Sequence, residues 1–348
     1  MMSLIKTLIV DDSAFVRKVV REMLSGSPYI DVVGMARNGE DALQMVEELN
    51  PDVVTCDLIM PELDGVEFVR RQMARKPVPI LILTASPQDA ALVLDALEAG
   101  AVDFIQKPTS LATDELLFMR EELVQKVKDA ALAPPQALLS PLQSAPQREK
   151  SAPSPASAAN VDIVVLGIST GGPQALRYLL PQFPADLPVP LVMVLHIPVG
   201  YTALFAEKLN EISQLPVKEA YEGCPVVPGQ ALLAQAGRHL SFKRNSTGQV
   251  VVQLSTQPND KPHRPSVDVL FQSAAEVYRG RVLGVVMTGM GDDGKQGAAW
   301  IKAQGGTILT EAEKSCVIYG MPRSVVEAGL SDEAIPLESM AEEICKRL

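Results

Sequence analysis

Two sets of polar residues in this chain interrupt apolar runs where side chains could do chemistry. The first comprises Ser169, His196 and the neighbouring Asp292 and Asp293. Ser169 stands in Gly167-Ile-Ser-Thr-Gly-Gly172, between the apolar run Ile163 to Ile168 and a stretch of helical spacing led by Pro173. A serine at such a strand-to-helix turn presents its hydroxyl at a sheet edge, beside the positive end of a helix. The glycines around it let a carbonyl group approach the backbone N–H groups. His196 follows Leu191-Val-Met-Val-Leu195, and the two aspartates follow Arg281-Val-Leu-Gly-Val-Val-Met287 through Thr288-Gly-Met-Gly291. A nucleophile, a base and an orienting carboxylate on one edge suit acyl transfer through a covalent intermediate. Three histidines are available. His239 falls within a hairpin strand and is expected to be structural. His263, in Pro262-His-Arg-Pro-Ser-Val-Asp268, is expected to line a cleft, which leaves His196 best placed as base.

The second set is Asp11, Asp12, Asp57, Thr84 and Lys107, each at or just past the carboxyl end of an apolar run. Clustered carboxylates repel one another unless a hard cation joins them, and Mg²⁺ with oxygen ligands is the natural candidate. A lysine opposite such a cluster can hold a phosphoryl group as a point charge. Asp57 could then accept that group, its charge spread over Mg²⁺, Lys107 and the Thr84 hydroxyl.

Two motif matches lead elsewhere and are set aside. Gly289-Met-Gly291-Asp-Asp-Gly294 fits a dinucleotide fingerprint, with Glu311 and Glu313 downstream, but its aspartates would face a pyrophosphate at a helix N-terminus. Gly167-x-Ser169-x-Gly171 suggests an α/β-hydrolase, yet that fold requires the order serine, acid, histidine. Here the order is Ser169, His196, Asp292/Asp293.

Regular alternation of strands and helices must position both sets, so the expected fold class is α/β with doubly wound parallel sheets. From residue 1 to 130, β-branched runs at 7–10, 30–33, 52–56, 78–83 and 102–105 alternate with helical patterns, the last at 114–128. Residues 131–159 are rich in Pro, Ala and Ser without apolar periodicity and are expected to form a linker, with a helical stretch within 135–143 as a further expectation. In 160–348 the alternation resumes. Between residues 223 and 254 it gives way to short runs expected to be antiparallel strands, a small β insertion that includes Ala231 to Ala234. A helix over 266–278 and two C-terminal helices complete the second domain.

The chain has 348 residues, 47% of them hydrophobic, with a net charge of −11. That acidity argues against a nucleic-acid binder, and no basic helix-turn-helix segment appears. Four cysteines, far apart and without metal-ligand spacing, are expected to be reduced thiols in a cytoplasmic protein. No apolar run reaches the ~20 residues that span a bilayer.

Asp11-Asp12, Thr55-Cys-Asp57-Leu-Ile-Met-Pro61, Asp64-Gly65, Thr84-Ala85 and Lys107-Pro108 resemble a two-component response-regulator receiver of flavodoxin-like fold. This resemblance implies Asp57 as phospho-acceptor, and Asp11, Asp12, Asp57 and the Ile59 carbonyl as the Mg²⁺ site. It also implies Thr84 and Phe104 as a switch pair that reports phosphorylation, alongside Lys107. Gly167-Ile-Ser-Thr-Gly-Gly172, Leu195-His-Ile-Pro198, His263-Arg-Pro-Ser-Val-Asp-Val-Leu-Phe271, Thr288-Gly-Met-Gly-Asp-Asp-Gly294 and Tyr319-Gly-Met-Pro322 resemble the catalytic domain of the chemotaxis protein-glutamate methylesterases. This second resemblance implies Ser169 as nucleophile, His196 as base and Asp293, rather than Asp292, as the orienting acid. The backbone N–H groups of Thr170 and Met290 are the implied oxyanion hole. The implied activity is demethylation of glutamate methyl esters and deamidation of glutamines on chemoreceptors, with a chemotaxis histidine kinase as phosphodonor and no cofactor for the esterase chemistry. The linker motivates the expectation that the unphosphorylated receiver covers the Ser169 edge. Two rivals are a receiver with a binding output, such as a transcription factor, and a hydrolase of small esters.

Overall fold

A computed structural model describes residues 4–107, 113–133 and 161–348. The chain divides into two compact units, Met1–Ser140 and Pro141–Leu348. Most of the expected linker, including 135–143, lies outside the described residues, as does Pro108.

In the first unit the chain runs β1 (Ile5–Val10), α1 (Ala14–Ser25), β2 (Ile30–Ala36), α2 (Gly39–Leu49) and β3 (Val53–Asp57). It continues through α3 (Gly65–Arg75), β4 (Ile80–Thr84), α4 (Ala90–Ala99), β5 (Asp103–Gln106) and α5 (Thr113–Ala130). The strands lie in the order β2-β1-β3-β4-β5, all parallel. Leu8 to Val10, Ile80 to Leu83 and Val53 to Val54 are fully buried, as a sheet covered on both faces requires. The order turns back beside β1, so the ends of β1 and β3 form the crevice where a doubly wound sheet binds ligands.

The second unit begins with β6 (Ile163–Ile168), α6 (Gly172–Leu179), β7 (Leu191–Leu195), α7 (Thr202–Ile212), β8 (Val217–Glu219) and β9 (Ala231–Leu233). A hairpin, β10 (His239–Arg244) and β11 (Val250–Ser255), precedes α8 (Val267–Tyr278) and β12 (Val282–Val286). The end comprises α9 (Lys295–Ala303), β13 (Thr307–Glu311), α10 (Met321–Glu327), β14 (Glu333–Ile335) and α11 (Leu337–Lys346). Seven strands form one parallel sheet in the order β14-β13-β12-β6-β7-β9-β8. Its central position is β6, flanked by β12 on one side and β7 on the other.

Ala231 to Leu233 is no antiparallel strand of the insertion; it pairs in parallel with β7 and β8. All three residues are buried, the signature of a strand inside a covered sheet rather than one with a solvated face. The antiparallel part is the β10–β11 hairpin, with Pro225 bridged to Val251. The hairpin packs on α8, where Phe242 meets Tyr278 edge-on at 5.9 Å and its N–H donates to Ser273 Oγ at 2.6 Å. Among the described residues, no helix is long and apolar enough to cross a membrane.

Candidate active site and acidic cluster

Ser169 and His196 directly follow the carboxyl ends of β6 and β7, and Asp293 stands farther along, at the end of the loop that joins β12 to α9. Ile168 pairs with Leu195, so Ser169 and His196 occupy adjacent register positions, and the His196 N–H donates to Ile168 O at 3.1 Å. The Ser169 N–H donates to Thr288 O at 3.0 Å, which ties the serine turn to the loop after β12. A Cβ on Gly289 would lie 2.8 Å from Ser169 Cβ, so only glycine lets that loop approach so closely. Gly171 has φ +78°, and its carbonyl opens α6 by accepting Ala175 N at 3.1 Å. Ser169 thus stands at the N-terminus of α6, on the positive side of its dipole.

His196 Nε2 and Asp293 Oδ2 are 2.9 Å apart, with both side chains 7% exposed. The other ring nitrogen, Nδ1, is buried and has no hydrogen-bond partner among the described residues. An ionised Asp293 accepts the Nε2 proton and leaves Nδ1 as the basic lone pair, on the nitrogen that can take a proton from a neighbouring hydroxyl. The Ser169 hydroxyl makes no hydrogen bond to it here, a common condition of catalytic pairs without substrate. His263 stacks on His196 with ring centroids 4.1 Å apart and planes at 19°, so it lines this site.

Asp293 is fixed by more than the imidazole. Oδ1 accepts Ser266 Oγ and Asp268 N, each at 2.9 Å, and Oδ2 accepts Val267 N at 2.8 Å. These N–H groups belong to the first turn of α8, so Asp293 also caps that helix. Burial pushes its carboxyl up, but the His196 contacts and the α8 N–H groups outweigh burial and hold it well below the usual carboxylate range. Asp268 returns the arrangement: its Oδ1 accepts Gly294 N at 2.9 Å and Gly297 N at 2.8 Å at the start of α9. Lys261 neutralises Asp268 at 2.9 Å. Asp292, by contrast, is exposed and pairs with Lys295 at 2.7 Å. His239 is structural: Nδ1 accepts Ser266 N at 3.2 Å, Nε2 meets Pro258 O at 3.0 Å, and burial lowers its pKa. Thr170 is buried beside Ser169, and Met290 is half-buried on the loop two residues past Thr288.

Sequence reasoning missed Asp268 and Thr288. Both were accessible to the signal that found Ser169, a polar residue at the end of an apolar run or the start of a helix.

In the first unit, ligand atoms of Asp11, Asp12 and Asp57 all lie within 4.8 Å of one another. Lys107 Nζ lies 2.7 Å from Asp11 Oδ2 and 2.8 Å from Asp57 Oδ2. Burial raises the Asp11 carboxyl despite Lys107; burial lowers the Lys107 ammonium, but the Asp57 and Asp11 carboxylates outweigh it and raise its pKa. Three hard oxygen donors with one cation among them fit a divalent metal of the Mg²⁺ type. Leu58 N donates to Asp57 Oδ1 at 2.7 Å and fixes the carboxylate's rotation. Thr84 is buried at the end of β4, its hydroxyl 3.4 Å from Ser86 O, and Phe104 is buried in β5. Ile59 is exposed on the loop after Asp57.

Known proteins share both halves. The family described as CheB methylesterase matches residues 164–344, and the response regulator receiver domain matches residues 7–117. A Myxococcus xanthus protein named protein-glutamate methylesterase/protein-glutamine glutaminase 5 is 48% identical over 97% of this chain and 96% of its own length. A Halalkalibacterium halodurans protein of the same activity name is 42% identical over the full length of both. The crystal structure of the Thermotoga maritima CheB methylesterase catalytic domain superimposes with a TM-score of 0.53 at 39% identity, covering 54% of this chain and 99% of that one.

Proposed function

This chain belongs to the protein-glutamate methylesterase/protein-glutamine glutaminase family, and from that premise we propose a serine hydrolase acting on glutamate methyl esters and glutamines of chemoreceptors in the cytoplasm. The observation that carries the reading is the buried His196–Asp293 pair, its free Nδ1 on the strand next to Ser169.

His196 Nδ1 takes the Ser169 proton as Oγ attacks the γ-carbonyl of a glutamyl methyl ester. The tetrahedral oxyanion is met by the N–H groups of Thr170 and Met290, each such donor contributing about 10²–10³-fold. Asp293 stays ionised and holds the imidazolium that forms. The leaving methoxide takes the proton from His196 and departs as methanol. A water then gives one proton to His196 as its oxygen attacks the acyl carbon; the Oγ–C bond breaks, His196 returns the proton to Ser169 Oγ, and glutamate is released. With a glutamine side chain the same steps release ammonia.

In the receiver unit, Asp57 Oδ attacks the phosphoryl group of a histidine kinase, forming an O–P bond as the N–P bond breaks. Asp11, Asp12, Asp57 and the Ile59 carbonyl would hold Mg²⁺, which when bound offsets phosphoryl and carboxylate charge. Lys107 bridges Asp11 and Asp57 and is placed to follow the added charge, with Thr84 and Phe104 as the pair that reports it. Phosphorylation raises the rate at Ser169.

Methanol release from a methylated receptor tests this, comparing wild type with Ser169→Ala, with and without acetyl phosphate and Mg²⁺. Release that depends on Ser169 and rises with phosphodonor is expected. Release surviving in Ser169→Ala removes the mechanism, and turnover of small esters alone favours an unspecialised esterase.

A further inference from the structure

Thr288 is 1% exposed just past β12, and its polar atoms are bonded to three different segments. Its N–H donates to Glu311 Oε2 at 2.9 Å. Its carbonyl accepts the Ser169 N–H at 3.0 Å. Its Oγ1 lies 3.0 Å from Thr170 O and accepts Ile318 N at 3.0 Å. Glu311 closes β13 and is itself fully buried, its other oxygen accepting Ser315 Oγ at 2.9 Å. Beyond Thr288 the loop is pinned as well: Gly289 N donates to Ile318 O at 3.0 Å, and Gly289 O accepts Met321 N at 2.8 Å.

Thr288 therefore stands between the residue that carries the nucleophile and the loop that carries Met290. One hydroxyl joins the turn at Thr170 to Ile318, on the segment between β13 and α10, while one carbonyl sets the Ser169 backbone. We propose that Thr288, anchored by Glu311, is a positioning residue that fixes the Ser169 turn relative to the Met290 loop; this rests on the serine-esterase function of the site.

Misplacing a reacting group by about 1 Å costs on the order of 100-fold in rate, whereas substrate binding at a distance is untouched. Thr288→Val keeps the shape and both backbone groups but removes Oγ1. The expected result is a folded protein with an unchanged KM and a kcat lower by about 10- to 100-fold. Phosphonylation of Ser169 by a fluorophosphonate should slow in parallel, and Thr288→Ser should restore both rates. If Thr288→Val does not fold, Glu311→Leu and Glu311→Gln make the same comparison, because glutamine keeps an acceptor for the Thr288 N–H and leucine does not. A wild-type kcat in Thr288→Val or Glu311→Leu, or a serine variant as slow as the valine one, overturns the inference. Activity in a Ser169→Ala control would instead sink the esterase function itself, so the two failures are distinguishable.

Discussion

At Asp293 a single carboxylate sets the histidine tautomer and caps a helix. Asp293→Asn keeps the size but puts an NH₂ among groups that all donate. We expect kcat to fall about 10³–10⁴-fold, the scale for losing the tautomer-holding acid of a Ser-His-Asp site. The same change should cost roughly 1–3 kcal/mol in urea denaturation, because buried α8 donors lose their acceptor. Steady-state kinetics and denaturation of one preparation check both. Glu311 provides a second test. Burial lifts its carboxyl from 4.5 to about 7 against the Thr288 and Ser315 hydrogen bonds, so the native state prefers it protonated. The stability from that proton is complete below the unfolded pKa and is lost as pH rises through about 7. A shift of this size corresponds to on the order of 3 kcal/mol. Glu311→Gln carries no such titration, so the loss of stability between pH 5 and pH 8 should shrink markedly in the variant; equal slopes would contradict the assignment. Ser169 and His196 could be singled out in the sequence because each follows an apolar run; Asp293 lies six residues past the run that ends at Met287 and was told from Asp292 only by the family resemblance. The reciprocal bonds of Asp293 and Asp268 were not legible, since the two residues meet only where α8 and α9 start side by side.

Helix starts, strand ends and register decide which residues meet. Asp268 caps α9 as Asp293 caps α8, so the loop bearing Asp293 is held at both ends. Asp268→Ala should cost about 0.5–2 kcal/mol, the range for a lost N-cap. It should also lower kcat, because the α9 start that steadies Asp293 loosens; amide exchange at Gly294 and Gly297 reports this directly. Protection as in the wild type would mean the cap is not needed. Long buried strands such as β6, β7 and β12 were readable as apolar runs, and α8 showed helical spacing. The three-residue strands β8 and β14 carry too few side chains for any period, and α7 passed unnoticed after the His196 loop. The parallel placement of β9 depends on partners far along the chain, which local pattern does not encode.

Over the whole molecule, two α/β units each gather their candidate site residues beyond the carboxyl ends of their strands, in both cases at the point where strand order reverses. A division into two units was suggested by the proline- and serine-rich composition of 131–159, a composition poor in the apolar periodicity that a core needs, and the chain does divide into two units. Asp57→Ala should abolish the response of methanol release to acetyl phosphate and Mg²⁺. If the receiver restrains the hydrolase, deleting residues 1–150 should raise the basal rate; an unchanged or lower rate would exclude restraint. The central claim is that Ser169, His196 and Asp293 act as one unit at the rim of the seven-stranded sheet. Mass spectrometry of the protein after reaction with a fluorophosphonate probe tests it most directly. One adduct on Ser169 is expected, forming at least about 10³-fold more slowly in His196→Gln. Labelling of a different residue, or an undiminished rate without the imidazole, would contradict it.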